Sequence, residues 1–240
     1  MLVELSRRIM VAVLADADLA AVAALMGDAN RASMLLALLG GQELPAHELA
    51  ARAGASSSLA SAHLRKLTDG GLLVAERRGR NRYYRLTDRH VAEAIEALLA
   101  VAPTRRARSL RESNRGEAIR RARTCYDHLA GELGVALTDS LEHQGLVGSH
   151  RDGYPLTTSG RERLRELGID VDALASRRRA LTRPCLDWTE RRPHLAGSLG
   201  AALTGRLLEL DWIRRRADTR AVSITDLGHR ELRVRLDINL

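Results

Sequence analysis

Ser56-Ser57-Ser58-Leu59-Ala60-Ser61-Ala62-His63-Leu64-Arg65-Lys66-Leu67, followed by Gly70-Gly71-Leu72-Leu73-Val74 and Arg77-Arg78-Gly79-Arg80-Asn81-Arg82-Tyr83-Tyr84-Arg85-Leu86-Thr87, decides the reading of this chain. A serine at 56 or 57 caps a helix over residues 57–68, anchored by Leu59, Leu64 and Leu67. The Gly70-Gly71 pair breaks it. Leu72-Leu73-Val74 and Tyr83-Tyr84-Arg85-Leu86 then predict two short strands. Their tip, residues 77–82, is packed with arginine: glycine permits the turn and charge keeps it in water. Helix, break and basic ribbon, in that order, are the parts needed to read double-stranded DNA.

The flanks fit the same unit. Apolar residues recur at helical spacing over residues 14–26, and a second helix after Asp28-Ala29-Asn30 turns Met34, Leu35, Leu38 and Leu39 inward until Gly40-Gly41. Pro45 opens a short helix to Ala53, with Leu49 buried, and Gly54 breaks it, completing a helix-turn-helix pattern. Thr87 is read as the cap of a helix over 88–102 that shows Val91, Ile95, Leu98 and Leu99 on one face; Pro103 ends it. Arg105, Arg106, Arg108, Arg111 and Arg115 mark a basic connector, helical at most in its second half. The expected domains are residues 14–102, a connector over 103–117, and a second domain over 118–240.

Composition supports this without deciding it. The chain has 240 residues, 45% hydrophobic but only 2% aromatic with no Phe, so its cores must be built from Leu, Ala, Val and Ile. Its net charge of +8 favours a polyanionic partner, and the arginines at 77–82 give that charge a location. Two cysteines imply no disulfide framework. The apolar run Ile9 to Ala15 is cut by Asp16 and Asp18, so neither a membrane span nor a secretory leader is expected, and the chain reads as cytoplasmic. No nucleophile elbow, phosphate loop or His-Glu-x-x-His motif occurs, so no enzyme is expected.

The second half repeats itself. His128-Leu129-Ala130-Gly131 recurs as His194-Leu195-Ala196-Gly197, each followed by leucines four apart: Leu129, Leu133, Leu137 and Leu141, then Leu195, Leu199, Leu203 and Leu207. Each helix runs into an apolar pair, Leu146-Val147 or Trp212-Ile213, then a polar tip, a strand ending at Thr157 or Thr225, and a closing helix from Gly160 or Gly228. The fold class expected is mainly α with small β-ribbons: a winged helix-turn-helix followed by repeated helix–ribbon–helix units.

The DNA-contact candidates are Ser57, Ser58, Ser61, His63, Arg65 and Lys66 on the helix and Arg77, Arg78, Arg80 and Arg82 on the ribbon. Serines at a helix start bring backbone N–H groups to phosphate, and narrow minor grooves attract arginine.

Residues 28–88 closely resemble the winged-helix repressors of the ArsR/SmtB type. The matching parts are Asn30-Arg31, Glu48-Leu49-Ala50, Ser61 to Leu67, Gly70-Gly71-Leu72-Leu73, and Gly79 to Leu86. The resemblance implies a homodimer paired through the first and last helices of the domain, bound to a near-palindromic operator and released by an effector. The chain departs from it where many members carry a Glu-Leu-Cys-Val-Cys-Asp-Leu metal box: here the residues are Glu43-Leu44-Pro45-Ala46-His47-Glu48-Leu49, without either thiol. Asp88 and His90 match half of another family zinc site, whose partner position holds Val101.

Sensor candidates therefore lie in the second half. Cys125 and His128, three apart, are read as facing one side of a helix; Cys185 precedes His194 in the second copy. Two thiolates and two imidazoles make a tetrahedral zinc set, two thiols alone can sense oxidants, and free cysteines also serve as small buried apolar groups. Trp212 is expected in the core; Trp188 lines a ligand pocket or packs on a neighbouring helix. The expected function is DNA-binding transcriptional regulation by a dimeric repressor, with double-stranded operator DNA, a second copy of the chain, and an unknown small-molecule or redox effector as partners. No cofactor is assigned, zinc or another thiophilic ion being the candidate. The rival readings are a thiol- or metal-responsive switch at Cys125 and Cys185, and a protein-interaction scaffold that has lost DNA binding.

Overall fold

The computed structural model describes residues 17–103, 106–107, 109–217 and 219–240. The expected helix start at Leu14, and Arg105 and Arg108 of the connector, lie outside them. The N-terminal unit runs α1 (Leu19–Met26), α2 (Ala29–Leu38), β1 (Leu44–Pro45), α3 (Ala46–Ala53), α4 (Ser57–Asp69), β2 (Leu73–Arg78), β3 (Asn81–Leu86) and α5 (Arg89–Val101). The three strands form one antiparallel sheet in the order β1-β3-β2.

Short polar residues set the helix starts. Asp28 accepts the Arg31 N–H at 2.9 Å, Ser56 accepts the Leu59 N–H at 3.4 Å, and Asp88 accepts the His90 N–H at 2.8 Å. Asp88, not Thr87, therefore caps α5; the Thr87 hydroxyl instead donates to the Gly71 carbonyl at 2.6 Å and closes the base of the ribbon. The ribbon is longer than expected. Arg77 and Arg78 belong to β2, Asn81 and Arg82 to β3, and only Gly79-Arg80 turns. The core is Met34, Leu35, Leu38, Leu39, Leu49, Leu64, Leu67, Leu73, Tyr84, Leu86 and Ile95. Leu59 was expected in it but is 44% exposed, because it lies on the outer face of α4.

The second half comprises α6 (Leu110–Arg121), β4 (Arg123–Cys125), β5 (His128–Ala130), α7 (Gly131–His143), α8 (Thr158–Glu166), α9 (Val171–Ala175), β6 (Arg183–Leu186), β7 (Pro193–Ala196), α10 (Gly197–Glu209), β8 (Ile213–Arg215), β9 (Val222–Ile224) and α11 (Asp226–Leu236). Both leucine series are buried in one core with Tyr154, Trp212, Ile213 and Leu232. The two copies differ in their ribbons. β8 and β9 pair over three positions, whereas the first copy keeps one bridge, Val147 with Leu156, and a single 3-10 turn at His150–Asp152. Pro155 stands where a ladder donor is needed, and it has no N–H to give.

The repeated His-Leu-Ala-Gly motif has a structural cause. Its first three residues form a strand, and its glycine starts the helix with positive φ, +75° at Gly131 and +92° at Gly197. At Gly197 a Cβ would lie 2.5 Å from the Leu181 carbonyl oxygen and 2.9 Å from that of Ala180. Those two carbonyls accept the Leu199 and Ser198 N–H groups, satisfying donors at the start of α10. Gly197→Ala is expected to destabilise the protein by about 2–4 kcal/mol, combining the left-handed Cβ penalty with overpacking. A lowered urea midpoint at unchanged slope would show this.

Candidate nucleic-acid interface

On α4 the chain presents Ser57, Ser58, Ser61, Arg65 and Lys66 to solvent while Ala60, Leu64 and Leu67 face the core. The Ser61 hydroxyl donates to the Ser57 carbonyl at 2.8 Å and keeps its acceptor lone pairs outward. His63 was expected to meet DNA, but it is turned inward. It is 8% exposed, with Nε2 3.5 Å from Asn30 Nδ2 and Nδ1 3.7 Å from Asp28 Oδ1. It lies one turn from Ala60 and Leu67, on the helix stripe that packs against α2.

On the ribbon, Arg77 pairs directly with Arg82 across the strands, and alternation puts both on the face of Leu73, Tyr84 and Leu86. That is the sheet face that packs on the helices, so the two guanidinium groups project past the core edge. Like charges opposite one another cost stability in a sheet; an anion laid between them removes that cost. Neither has an ion-pair partner among the described residues, nor do Arg80, Arg65 and Lys66. Arg78 differs. It points to the other face, 2.6 Å from Glu43 and 2.7 Å from Glu76, with its guanidinium over the Tyr83 ring. Its charge is already matched, so it supports the ribbon rather than offering a free cation.

Comparison with known proteins agrees with this geometry. Residues 26–76 match the model of a helix-turn-helix domain. The chain is 44% identical over 211 residues to the uncharacterized HTH-type transcriptional regulator YdfF of Bacillus subtilis, covering 88% of this chain and 93% of that protein. The chain belongs to the HTH-type transcriptional regulators. The regulator is also 38% identical over 86 residues to the HTH-type transcriptional regulator CmtR of Mycobacterium bovis, spanning 36% of this chain and 72% of that one. The solved structure of the cadmium metal-sensor CmtR from Mycobacterium tuberculosis is 35% identical and covers 38% of this chain and 94% of its own, with a TM-score of 0.31. The helices and three-stranded sheet of residues 19–101 form the winged-helix unit expected from the ArsR/SmtB resemblance, and, as a helix-turn-helix regulator, the chain binds DNA. Among the described residues no helix is long and apolar enough to cross a membrane.

The half-match to a family zinc site is accounted for otherwise. Asp88 is occupied by the N–H groups at the start of α5, and Val101 is 80% exposed at its far end.

A second polar centre lies in the C-terminal half of the regulator. Cys125 and His128 do not share a helix. They sit on β4 and β5 as cross-strand partners, and Cys185 and His194 are partners in the same way on β6 and β7. Directly opposed residues of an antiparallel pair point to the same face of the ribbon. The two hairpins meet face to face: Sγ of Cys125 is 3.9 Å from Sγ of Cys185, and Nε2 of His128 is 3.1 Å from Nε2 of His194. The hydrogen bond to Cys185 and burial push the Cys125 thiol up to about 12, while the same contact holds the Cys185 thiol below its ordinary value. Burial opposes charge on both imidazoles, but Cys125 and Asp127 beside His128, and Asp187 and Cys125 beside His194, draw both upward.

Sequence reasoning missed the groups behind these four. The Asp127 carboxylate lies 3.3 Å from His128 Nδ1 and is held by Arg179. Asp187, fully buried, lies 3.4 Å from His194 Nδ1, an ion-pair distance outside hydrogen-bond geometry. It also accepts the Gly131 N–H at 2.6 Å and pairs with the fully buried Arg123 at 3.0 Å, so one carboxylate joins both copies. The signal was Asp127 directly before His128; nothing local marked the Arg123–Asp187 pair, which spans 64 residues.

The hairpins also touch the DNA-binding unit. Tyr126, at positive φ between Cys125 and His128, donates its N–H to the Leu39 carbonyl at the end of α2 at 2.7 Å. Arg183 and Arg220 form ion pairs with Glu93 and Glu96 of α5. Trp188 stacks under Arg123, ring to guanidinium 5.0 Å, and lines a cleft of about 350 Å³ with Leu36, Arg52, Ile119 and Arg220. The stacking partner shown is thus a side chain of β4, where a ligand pocket or packing on a neighbouring helix was expected. Trp212 is 4% exposed, in the core as expected.

Proposed function

We propose that this regulator is a homodimeric repressor that holds an inverted-repeat operator and leaves it when an effector acts on the C-terminal half. The observation that carries the DNA end of this reading is the exposed row on α4 beside the unpaired Arg77, Arg80 and Arg82 on the ribbon. Together they offer polar groups to base edges and cations to the flanking backbone.

Dimerisation is supported by the opposite end of the same unit. α1 has no buried residue, and Met26 of α1, Leu36 of α2 and Leu98 and Leu99 of α5 line one open apolar hollow, with Leu36 and Leu98 exposed. A contiguous apolar face of this kind marks an interaction site, and the ArsR/SmtB resemblance assigns it to a second copy. A two-fold dimer presents two α4 helices to two inverted half-sites. The effector end is supported by α5, which carries the apolar face and also takes the ion pairs from Arg183 and Arg220.

Leu98→Glu tests the reading, since Leu98 is 52% exposed in the single chain and a carboxylate placed there reaches water. The variant is expected to sediment as a monomer. Losing the linked second half-site should weaken operator binding on the order of 100-fold and release a reporter driven from the regulator's own upstream DNA. A variant that still pairs, or a monomer that binds and represses as well as wild type, would contradict it.

A further inference from the structure

We propose that Cys125, His128, Cys185 and His194 form a closed tetrahedral site for zinc or an equally thiophilic divalent cation, half of it supplied by each C-terminal copy. The donor atoms all lie within 4.8 Å of one another, on residues that are buried or nearly so. A tetrahedron with bonds of about 2.3 Å to sulfur and about 2.0 Å to nitrogen has edges of about 3.8 Å between sulfurs and about 3.3 Å between nitrogens. The corresponding separations here are 3.9 Å and 3.1 Å.

Proton placement points the same way. A neutral imidazole carries one N–H, and a carboxylate beside Nδ1 holds it there. Asp127 is in hydrogen-bond contact with His128 Nδ1, and Asp187 lies at ion-pair distance from His194 Nδ1; both favour a proton on Nδ1 and leave the two Nε2 atoms, 3.1 Å apart, as the ligand atoms. Without a cation, a single proton on either Nε2 bridges the two rings as a hydrogen bond; a cation that displaces that proton takes both lone pairs as ligands. A carboxylate behind each histidine is also the usual support for a metal-binding imidazole.

The donor set selects the ion. Two sulfurs and two imidazole nitrogens suit zinc and its thiophilic relatives, whereas magnesium and calcium require oxygen. Binding sends the two thiol protons to solvent, and the two thiolates then neutralise the divalent charge inside the core. Four protein ligands leave no open position, so the site is structural or regulatory rather than catalytic. A disulfide is the weaker reading of the same sulfurs. It would need them at about 2.05 Å, and it would leave the convergence of the two histidines without a purpose.

Position gives the site a consequence. One ligand hairpin is bonded to the end of α2 through Tyr126 and Leu39, and the other is tied to α5 through Arg183 and Glu93. A bound ion fixes the two hairpins relative to each other and hence the two helices they grip. This regulatory clause rests on the operator-binding reading above; the site does not.

The test uses the full chain, stripped with chelator under reducing, oxygen-free conditions and titrated with cobalt(II). One equivalent per chain is expected, with the strong visible bands of a tetrahedral ion and a thiolate-to-cobalt charge-transfer band, both abolished by zinc. Cys125→Ser with Cys185→Ser should remove the charge-transfer band. Asp127→Asn should keep the spectrum and weaken binding by about 10–100-fold. Weak six-coordinate bands from wild type, a charge-transfer band that survives removal of both thiols, or a disulfide as the sole product of the thiols would overturn the site. If the double variant fails to fold, the wild-type spectrum and Asp127→Asn still decide. Operator affinity is then compared between zinc-loaded and stripped protein. Equal affinities with an intact cobalt spectrum would remove the regulatory clause alone, and no operator binding in either form would count against the DNA reading alone.

Discussion

Replacing Arg77, Arg80 and Arg82 together with alanine is expected to weaken operator binding on the order of 100-fold at low salt. It should also flatten the slope of log affinity against log salt by about one unit for each phosphate no longer neutralised, so by up to about three. The argument is electrostatic. Arg77 and Arg82 are placed directly opposite each other, Arg80 sits at the turn, and none of the three has an ion-pair partner among the described residues. Each such cation releases a condensed counterion on meeting a phosphate. Arg78 is the built-in comparison, because Glu43 and Glu76 already match its charge. Arg78→Ala should change the salt slope much less than any of the three. Equal effects at all four arginines would mean that total charge, not placement on the ribbon, governs binding.

The second large effect is structural. Arg123→Met should destabilise the C-terminal half by about 3–5 kcal/mol, because it strips the counterion from a carboxylate that cannot reach water. Arg123 and Asp187 both have fully buried side chains, and their pairing links β4 of the first copy to the loop between β6 and β7 of the second. Arg123 also donates to Thr189 at 3.1 Å, while Asp187 accepts the Thr189 and Glu190 N–H groups. Urea unfolding followed by tryptophan fluorescence reports it, since Trp188 stacks on Arg123. A loss under about 1 kcal/mol would show that the remaining Asp187 hydrogen bonds suffice without the charge.

The contrast between these two sites explains what could be read in advance. The winged helix was legible because its determinants are local: a serine cap, leucines at helical spacing, two glycine breaks and a run of arginine. The errors there were errors of facing. His63 and Leu59 are four apart, and which of them packed inward depended on α2, whose Asp28 and Asn30 draw the imidazole in. Arg78 could not be told from Arg77 until pairing register put it beside Glu43, 35 positions earlier in the chain.

The Cys/His cluster shows the reverse case. All four residues are visible as candidates, yet the three-residue spacing of Cys125 and His128 suggests a helix where the segment forms a tight hairpin around Tyr126 at φ +59°. A tyrosine in that conformation carries no local signal, because glycine or asparagine is the usual occupant. What brings the four together is the docking of one copy on the other, with Asp187 bonded to Gly131 and Arg123 across the join. Long-range pairing of that kind leaves its mark only in the repeat itself, where each hairpin offers one thiol opposite one imidazole.

Hydroxyl-radical footprinting of the wild-type chain on its own upstream DNA tests the combined action of α4 and the ribbon most directly. The account predicts two discrete protected half-sites related by a two-fold axis, with centres separated by about 10–10.5 base pairs or a multiple of that spacing. Protection should extend into the flanking backbone and retract there when Arg77, Arg80 and Arg82 are replaced. Diffuse protection without a centre, or an identical footprint from the triple variant, would contradict it.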